Sequence, residues 1–232
     1  MKPHRLLAEA RTPDGGNLTL TEHDGSFCIR LGGRELMHSK ASVSELTLGE
    51  VGTAMLERGK PATVLIGGLG LGFTLRSVLE RTGPEVAVEV AELLPAIVEW
   101  NREHLAALNG ALLADPRVAV RVGDVFDLVR RAEPASYDAI LLDIDNGPAA
   151  MVHAANARLY AASGLRKLVT SLAPGGRLVV WSAGEERAFE QRLRQAGFRV
   201  TTVPVKIHAG ARQAAGRLFV GDKVTAPHGA RR

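Results

Sequence analysis

Residues 62–76 read ATVLIGGLGLGFTLR, an apolar run that leads directly into a glycine-rich turn and then into a helical pattern. The run has the β-branched, apolar composition of a buried parallel strand. The glycines of the turn are Gly67, Gly68, Gly70 and Gly72. They let the backbone approach a ligand, towards which the first N–H groups of the next helix point. Because Phe73 stands where the dinucleotide fingerprint has its third glycine, the turn favours an adenosyl-sulfonium ligand over NAD.

Strand-like and helix-like segments alternate regularly after this turn. The predicted strands cover residues 62–66, 86–90, 118–122, 139–143, 177–181, 198–205 and 217–220. The predicted helices cover residues 74–81, 94–108, 125–131, 159–172 and 185–196. The last two strands have no helix between them, so we expect them to pair as an antiparallel hairpin. The sequence therefore predicts an α/β fold with a seven-stranded doubly wound sheet of the S-adenosylmethionine-dependent methyltransferase type.

The first 57 residues precede this alternation and have a different character. Gly32-Gly33 separates two short β-like runs, which indicates a hairpin because type I′ turns need positive φ at both central residues. We predict a loose lead-in at residues 1–16, a short β-hairpin element over 17–38 and a connecting helix over 42–57 with Ser44 as its cap. The expected organisation is an N-terminal element (1–57), a nucleoside-binding catalytic domain (58–222) and a disordered tail (223–232).

Composition restricts the possible function classes. A content of 46% hydrophobic and 23% charged residues is ordinary for a globular protein. We expect no membrane association, because no apolar run reaches the ~18–20 residues of a membrane span. The single cysteine, Cys28, excludes an internal disulfide, fits a cytoplasmic location and lies in a predicted strand, where we expect it in the core. Scattered arginines and 4% aromatic residues argue against nucleic-acid binding, and the histidine spacings predict no metal site.

Acidic residues follow the predicted strands at the edge where doubly wound sheets bind their ligands. Glu92 is suited to ribose hydroxyls, and Asp124, next to Val125, is suited to an adenine amino group. Each has a simpler interpretation, Glu92 as an acid at a helix start and Asp124 as an N-cap. Asp143 and Asp145 follow the fourth strand and are the candidate catalytic residues, although they too are compatible with a plain turn.

From about residue 62 to 205 the chain resembles the spermidine synthases, the polyamine aminopropyltransferase family. The resemblance rests on VLIGGLGLGFTLR, VEVAELLPAIVEWNREHL, DPRVAVRVGD, YDAILLDIDNGP and LYAASGLRKLVTSLAPGGRLVV. It implies that the glycine turn, Glu92 and Asp124 hold decarboxylated S-adenosylmethionine as a co-substrate, without a prosthetic group. It also implies that Asp143 assists attack by a small amine substrate, and that the protein is a homodimer.

Three features of this chain differ from the family pattern. Ile66 and Leu71 stand where methyltransferases and aminopropyltransferases, respectively, carry an acid for the amino group of the sulfonium ligand. The acidic loop is shortened, with Asn146 at the position of its second acid. Two alternatives therefore stay open, an S-adenosylmethionine-dependent methyltransferase and a non-catalytic homologue that binds a nucleoside or a partner protein.

Overall fold

A computed structural model describes residues 4–13, 15–144 and 156–224 and contains two sheets. The smaller sheet is antiparallel and consists of β1 (Arg5–Arg11), β2 (Asn17–His23), β3 (Ser26–Leu31) and β4 (Arg34–His38), in that order. The predicted hairpin is confirmed as β3–β4, but the prediction of a loose lead-in is wrong. Residues 5–11 pair with β2, from Arg5 opposite Glu22 to Arg11 opposite Asn17. The segment is short and lacks β-branched and aromatic residues, so its strand forms through pairing rather than through local preference.

The larger sheet has the predicted seven strands. They are β5 (Ala62–Gly67), β6 (Val86–Glu92), β7 (Val118–Val122), β8 (Tyr137–Leu142), β9 (Leu172–Ser182), β10 (Phe198–Val205) and β11 (Gly216–Lys223). Their spatial order is β10-β11-β9-β8-β5-β6-β7. Strands β5 to β9 all run parallel to one another. Strand β11 pairs antiparallel with both β9 and β10, which confirms the terminal hairpin. The strand order reverses between β5 and β8, where a ligand site is expected.

The helices follow the prediction with shifted ends. They are α1 (Val43–Thr53), α2 (Phe73–Arg81), α3 (Pro95–Glu103), α4 (Ala106–Asn109), α5 (Val125–Arg131), α6 (Ala157–Tyr160), α7 (Ala162–Ser171) and α8 (Arg187–Ala196). The segment predicted as one helix over 94–108 forms two helices, α3 and α4. The chain bends between them and buries Leu105, whose N–H donates to Trp100 O. No helix within the described ranges is long and apolar enough to cross a membrane.

The helix predicted over 159–172 is also wrong in its bounds. The extended backbone of Ala161 separates α6 from α7, and Leu172 already belongs to β9, opposite Tyr137. The predicted strand begins at residue 177, but Pro174-Gly175-Gly176 also lies inside β9, where the register between β8 and β9 is irregular. Tertiary pairing with β8 thus extends the strand beyond its apolar part.

Helix α1 joins the two sheets and lies unusually close to its neighbours. A Cβ at Gly49 would lie 2.6 Å from Ser77 Cβ, and one at Gly52 would lie 1.9 Å from Leu141 Cδ2. The two glycines therefore allow α1 to pack directly against α2 and β8 instead of breaking the helix. Ser44 does not cap α1; it is buried within the helix, which begins after Ser42.

The small sheet and one face of the large sheet share a hydrophobic core. Leu18, Leu20 and Ile29 of the small sheet belong to the same buried cluster as Val64 and Val88 of the large sheet.

Cys28 is buried in β3, as predicted, and burial raises its pKa to about 11, so its thiol stays protonated at neutral pH. The chain beyond Val224, with most of the predicted tail 223–232, lies outside the described residues, whereas Lys223 ends β11.

Candidate functional site

The glycine turn after β5 adopts a backbone that requires glycine. Gly68 has φ +90°, and a Cβ at this residue would lie 2.4 Å from the backbone oxygen of Asp143. The close approach brings the end of β5 against the end of β8. Gly68 N–H donates to Ala91 O at 2.8 Å, which ties the turn to β6 as well. The turn thus lies where three parallel strands end, as the sequence predicts.

Two asparagines hold the carbonyl groups of this turn. Asn101 Nδ2 donates to Gly70 O at 2.9 Å, and Asn109 Nδ2 donates to Leu71 O at 2.5 Å. Asn101 is buried on α3, and Arg76 Nη1 donates to Asn109 Oδ1 at 2.9 Å. Sequence reasoning missed both roles. The available signal for Asn101 was a polar residue on the apolar face of a helix, one turn after Ile97.

Glu92 organises the turn from the end of β6. Its Oε2 accepts a hydrogen bond from Leu69 N at 2.8 Å, and its Oε1 accepts one from Leu94 N at 2.9 Å. Burial raises the pKa of the Glu92 carboxyl, and the backbone N–H groups oppose this effect. Both the predicted position beside the ligand and the simpler interpretation as a helix-start acid are therefore compatible with this geometry. A contact with ribose stays a prediction.

We expect Glu92→Gln to lower the free energy of unfolding by about 1–3 kcal/mol, because an amide nitrogen would then face a buried N–H donor. The loosened turn should also weaken binding of the donor nucleoside. Urea unfolding and calorimetry measure the two effects. Glu99→Gln, at an exposed position on α3, is the matched control. Unchanged stability and unchanged donor affinity would show that the two backbone contacts of Glu92 are not important.

Asp124 occupies the N-cap of α5 and forms an ion pair. Its Oδ1 accepts from Phe126 N at 2.8 Å, and its Oδ2 lies 2.7 Å from Arg158 Nη2. The Arg158 guanidinium also lies over the Phe126 ring, 4.8 Å from its centroid. The N-cap interpretation is thus confirmed. Binding of an adenine amino group by Asp124 stays a prediction, and the sequence did not indicate the contact with Arg158.

Asp143 follows β8 and interacts with a carboxyl that the sequence analysis did not select. The Thr74 hydroxyl hydrogen-bonds the Asp143 side chain and lies 3.4 Å from the backbone oxygen of Glu45. Burial raises the pKa of Asp143 to about 6, despite the opposing hydrogen bond. The pKa of Glu45 lies well above its usual range, because of burial and the nearby Asp143 charge. Glu45 has no motif around it, and only the packing of α1 places it here.

These raised pKa values predict how stability depends on pH. A carboxyl whose pKa is raised by folding binds its proton more tightly in the folded state. Its contribution is therefore complete below the unfolded-state pKa and is lost as the pH rises through the folded-state pKa. For Asp143 the loss extends from about pH 4 to above pH 6. We expect the free energy of unfolding of Asp143→Asn to rise, relative to that of wild type, by on the order of 2 kcal/mol between pH 4 and pH 7.5. Urea unfolding at both pH values measures this rise. An equal difference in unfolding free energy between variant and wild type at the two pH values would contradict the raised pKa of Asp143.

One cavity of about 420 Å³ unites these residues between the small sheet and the carboxyl edge of the large sheet. It is lined by five carboxyl residues, namely Glu35, Glu45, Glu92, Asp124 and Asp143. Among the described residues, no lysine or arginine lines it. Gly68, Gly70, Val125 and Trp181 also lie in its wall, as do apolar residues of the small sheet. The structure therefore brings most predicted site residues together. Gly67 and Gly72 belong to the turn but do not line the cavity, and Asp145 lies outside the described residues.

Ile66 and Leu71, the two apolar departures in the turn, are core residues. Both side chains are fully buried, and neither lines the cavity. An acid at either position would therefore enter the apolar core in this backbone conformation. The negative charge of the cavity instead comes from the strand ends and from α1.

Comparisons with known proteins agree with the fold and identify the family. The spermine/spermidine synthase domain model matches residues 46–195. The chain belongs to the spermine/spermidine synthase family. Curated relatives of the family include a polyamine aminopropyltransferase of Mycobacterium tuberculosis, 33% identical over 154 residues, which is 63% of this chain and 28% of the relative. Another, from Aeropyrum pernix, is 33% identical over 130 residues, which is 54% of this chain and 39% of the relative.

The similarity to family members extends to three dimensions. The spermidine synthase of Thermotoga maritima is similar with a TM-score of 0.75 at 17% identity, over 97% of this chain and 74% of that one. This likeness includes the small N-terminal sheet as well as the large sheet. The sequence matches cover 28% and 39% of the two curated relatives, so they relate this chain to only part of each protein.

Proposed function

We propose that this protein transfers an aminopropyl group from decarboxylated S-adenosylmethionine to a small amine. The observation that carries the proposal is the cavity with five carboxyl residues and, within the described ranges, no lysine or arginine. A site of this charge favours cations, and both reactants are cations. Family membership supports the same chemistry, since the matched relatives are named polyamine aminopropyltransferases.

The charge of the cavity also supports the decarboxylated donor. Ordinary S-adenosylmethionine carries a carboxylate, which would lie among carboxyl groups in a partly buried space. Like charges in such a space repel. Arg158 pairs with Asp124, but it does not line the cavity, and no described lysine or arginine of the wall is available to the carboxylate of the ligand. The decarboxylated donor has only its sulfonium and ammonium charges, which the same wall attracts.

In the proposed reaction the nitrogen lone pair of the amine attacks the methylene carbon next to sulfur. A C–N bond forms as the C–S bond breaks, and the electron pair of the C–S bond stays on sulfur as a neutral thioether. The glycine turn holds the nucleoside, and Glu92 and Asn101 hold the turn in shape. Asp143, at the end of β8, orients the amine and accepts its proton.

Calorimetry with decarboxylated and ordinary S-adenosylmethionine tests this proposal, followed by mass spectrometry of a reaction with 1,4-diaminobutane. We expect tighter binding of the decarboxylated donor and a product heavier by one aminopropyl group. Tighter binding of ordinary S-adenosylmethionine with methyl transfer would favour a methyltransferase. Donor binding without any product would favour a non-catalytic homologue.

We also propose a cytoplasmic location and a homodimer. The location is supported by the single cysteine, which is buried and needs no oxidising compartment. The homodimer is what the family resemblance implies. Light scattering measures the mass in solution, and a mass of one chain would contradict the dimer.

A further inference from the structure

Glu45 is a half-buried carboxyl residue whose side chain has no hydrogen-bond or ion-pair partner in the described part of the chain. No N–H group, hydroxyl or cation there bonds to its carboxyl, and its strongest electrostatic neighbour is another acid, Asp143. Even partial burial of a carboxylate without a compensating partner is unfavourable. The Glu45 side chain lies in the wall of the cavity, so a cationic ligand placed there would supply the missing partner.

The packing of α1 fixes Glu45 in this position. Ser77 Oγ donates to Leu46 O at 2.7 Å, and Val43 N–H donates to Ile207 O at 3.2 Å. One turn further along the helix, Gly49 lies directly against Ser77 and Thr74. The start of α1 is therefore held from two sides. The backbone that carries Glu45 is therefore fixed beside the cavity.

We propose that Glu45 is the second carboxyl of the amine site and that it binds the attacking amine together with Asp143. This inference rests on the proposed function. The two carboxyls come from elements far apart in the chain, α1 and the end of β8, and the Thr74 hydroxyl contacts both segments. The acidic loop itself has Asn146 where the family pattern has a second acid. Glu45 supplies that acid from another part of the fold.

The pair performs two tasks in the reaction. The amine arrives as an ammonium ion, and one carboxylate accepts its proton, which leaves a neutral amine and a carboxylic acid. The lone pair then forms the C–N bond as the C–S bond breaks, and the positive charge moves from sulfur to the product nitrogen. The second carboxyl holds the nitrogen in line with the C–S bond throughout. The proton leaves to solvent with the product.

Glu45→Gln tests the inference, because glutamine keeps the size of the side chain and removes its charge. We expect kcat/KM for 1,4-diaminobutane to fall about 100-fold, with donor affinity within about threefold of wild type. Glu50→Gln, on the same helix but exposed and paired with Arg81, should leave both quantities unchanged. Circular dichroism and thermal unfolding verify that each variant is folded.

The pH profile separates a role in the reaction from a structural role. Wild type should lose activity at low pH through two carboxyl ionisations, and Glu45→Gln should lose one of them. The other titratable residues that line the cavity are Glu35, His38, Glu92, Asp124 and His208, and all are unchanged in the variant. A profile identical to that of wild type, or turnover within twofold of it, would overturn the inference.

A binding measurement keeps this test separate from the proposed function. Calorimetry titrates 1,4-diaminobutane into protein saturated with the thioether product, methylthioadenosine, and needs no turnover. We expect binding to wild type and at least tenfold weaker binding to Glu45→Gln. Equal diamine affinity, or loss of donor affinity instead, would overturn the role of Glu45. Absence of aminopropyl transfer by wild type would instead contradict the proposed function.

Discussion

Asp143→Asn is expected to lower turnover with a diamine by about 10³-fold, within the range found for removal of a general base. Asn cannot accept the proton of the incoming ammonium ion, although it keeps the size of the side chain. The nucleoside half of the cavity should be unaffected, because Asp143 N–H still donates to Gly67 O at 2.9 Å and Glu92 still holds the turn. Donor affinity should therefore stay within a few fold of wild type.

Single-turnover mass spectrometry and donor calorimetry measure the two effects of Asp143→Asn. Asp127→Asn, on α5 and paired only with Arg130 in the described contacts, is the matched control. A parallel loss of donor binding would assign Asp143 to the donor rather than to the amine. Unchanged turnover would remove Asp143 from its proposed catalytic role altogether.

Gly68→Ala is expected to have the largest effect on the structure of the site. The new Cβ would lie 2.4 Å from the backbone oxygen of Asp143, and the backbone at φ +90° disfavours any side chain. Backbone strain of this kind costs about 1–3 kcal/mol, before the contact with the Asp143 carbonyl is relieved. The ends of β5 and β8 must separate to relieve it. We expect loss of donor binding and a fall in stability of about 3 kcal/mol or more.

Gly59→Ala separates the contact from the backbone strain. Gly59 also has positive φ, at +75°, but a Cβ there meets nothing within 4 Å. Its substitution should cost about 1–2 kcal/mol and leave donor affinity unchanged. Urea unfolding and donor calorimetry of both variants make the comparison. Equal effects of the two substitutions would show that the contact between Gly68 and Asp143 is unimportant.

Local sequence signals predicted most of the large sheet. Residues 62–67 form a strand because a β-branched run ends in glycines, and residues 198–205 and 118–122 match their predicted bounds. The signals failed where pairing outweighed local preference. Strand β1 forms only against β2, and Leu172 joins β9 because it lies opposite Tyr137.

The sequence predicted the site residues that stand at the ends of strands, but not those that reach the site from a distant helix. Gly68, Glu92, Asp124 and Asp143 follow strand ends, and a doubly wound sheet brings those ends to one edge. No comparable topological rule places Asn109 and Glu45, because each reaches the site from a helix whose position depends on packing. Their roles in ligand binding and catalysis stay predictions until the variants are measured.

The sequence by itself determined the strand–turn–helix order, the glycine turn at residues 67–72 and the acids at the strand ends, since each depends on residues near one another in the chain. Tertiary structure alone decided that Glu45 lies beside Asp143 and that Leu71 belongs to the core. The physical reason is the close packing of α1, where Gly49 and Gly52 remove the side chains that would keep the helix away from α2 and β8. That contact brings a carboxyl into the cavity across about 100 residues of chain, a distance that no local pattern spans.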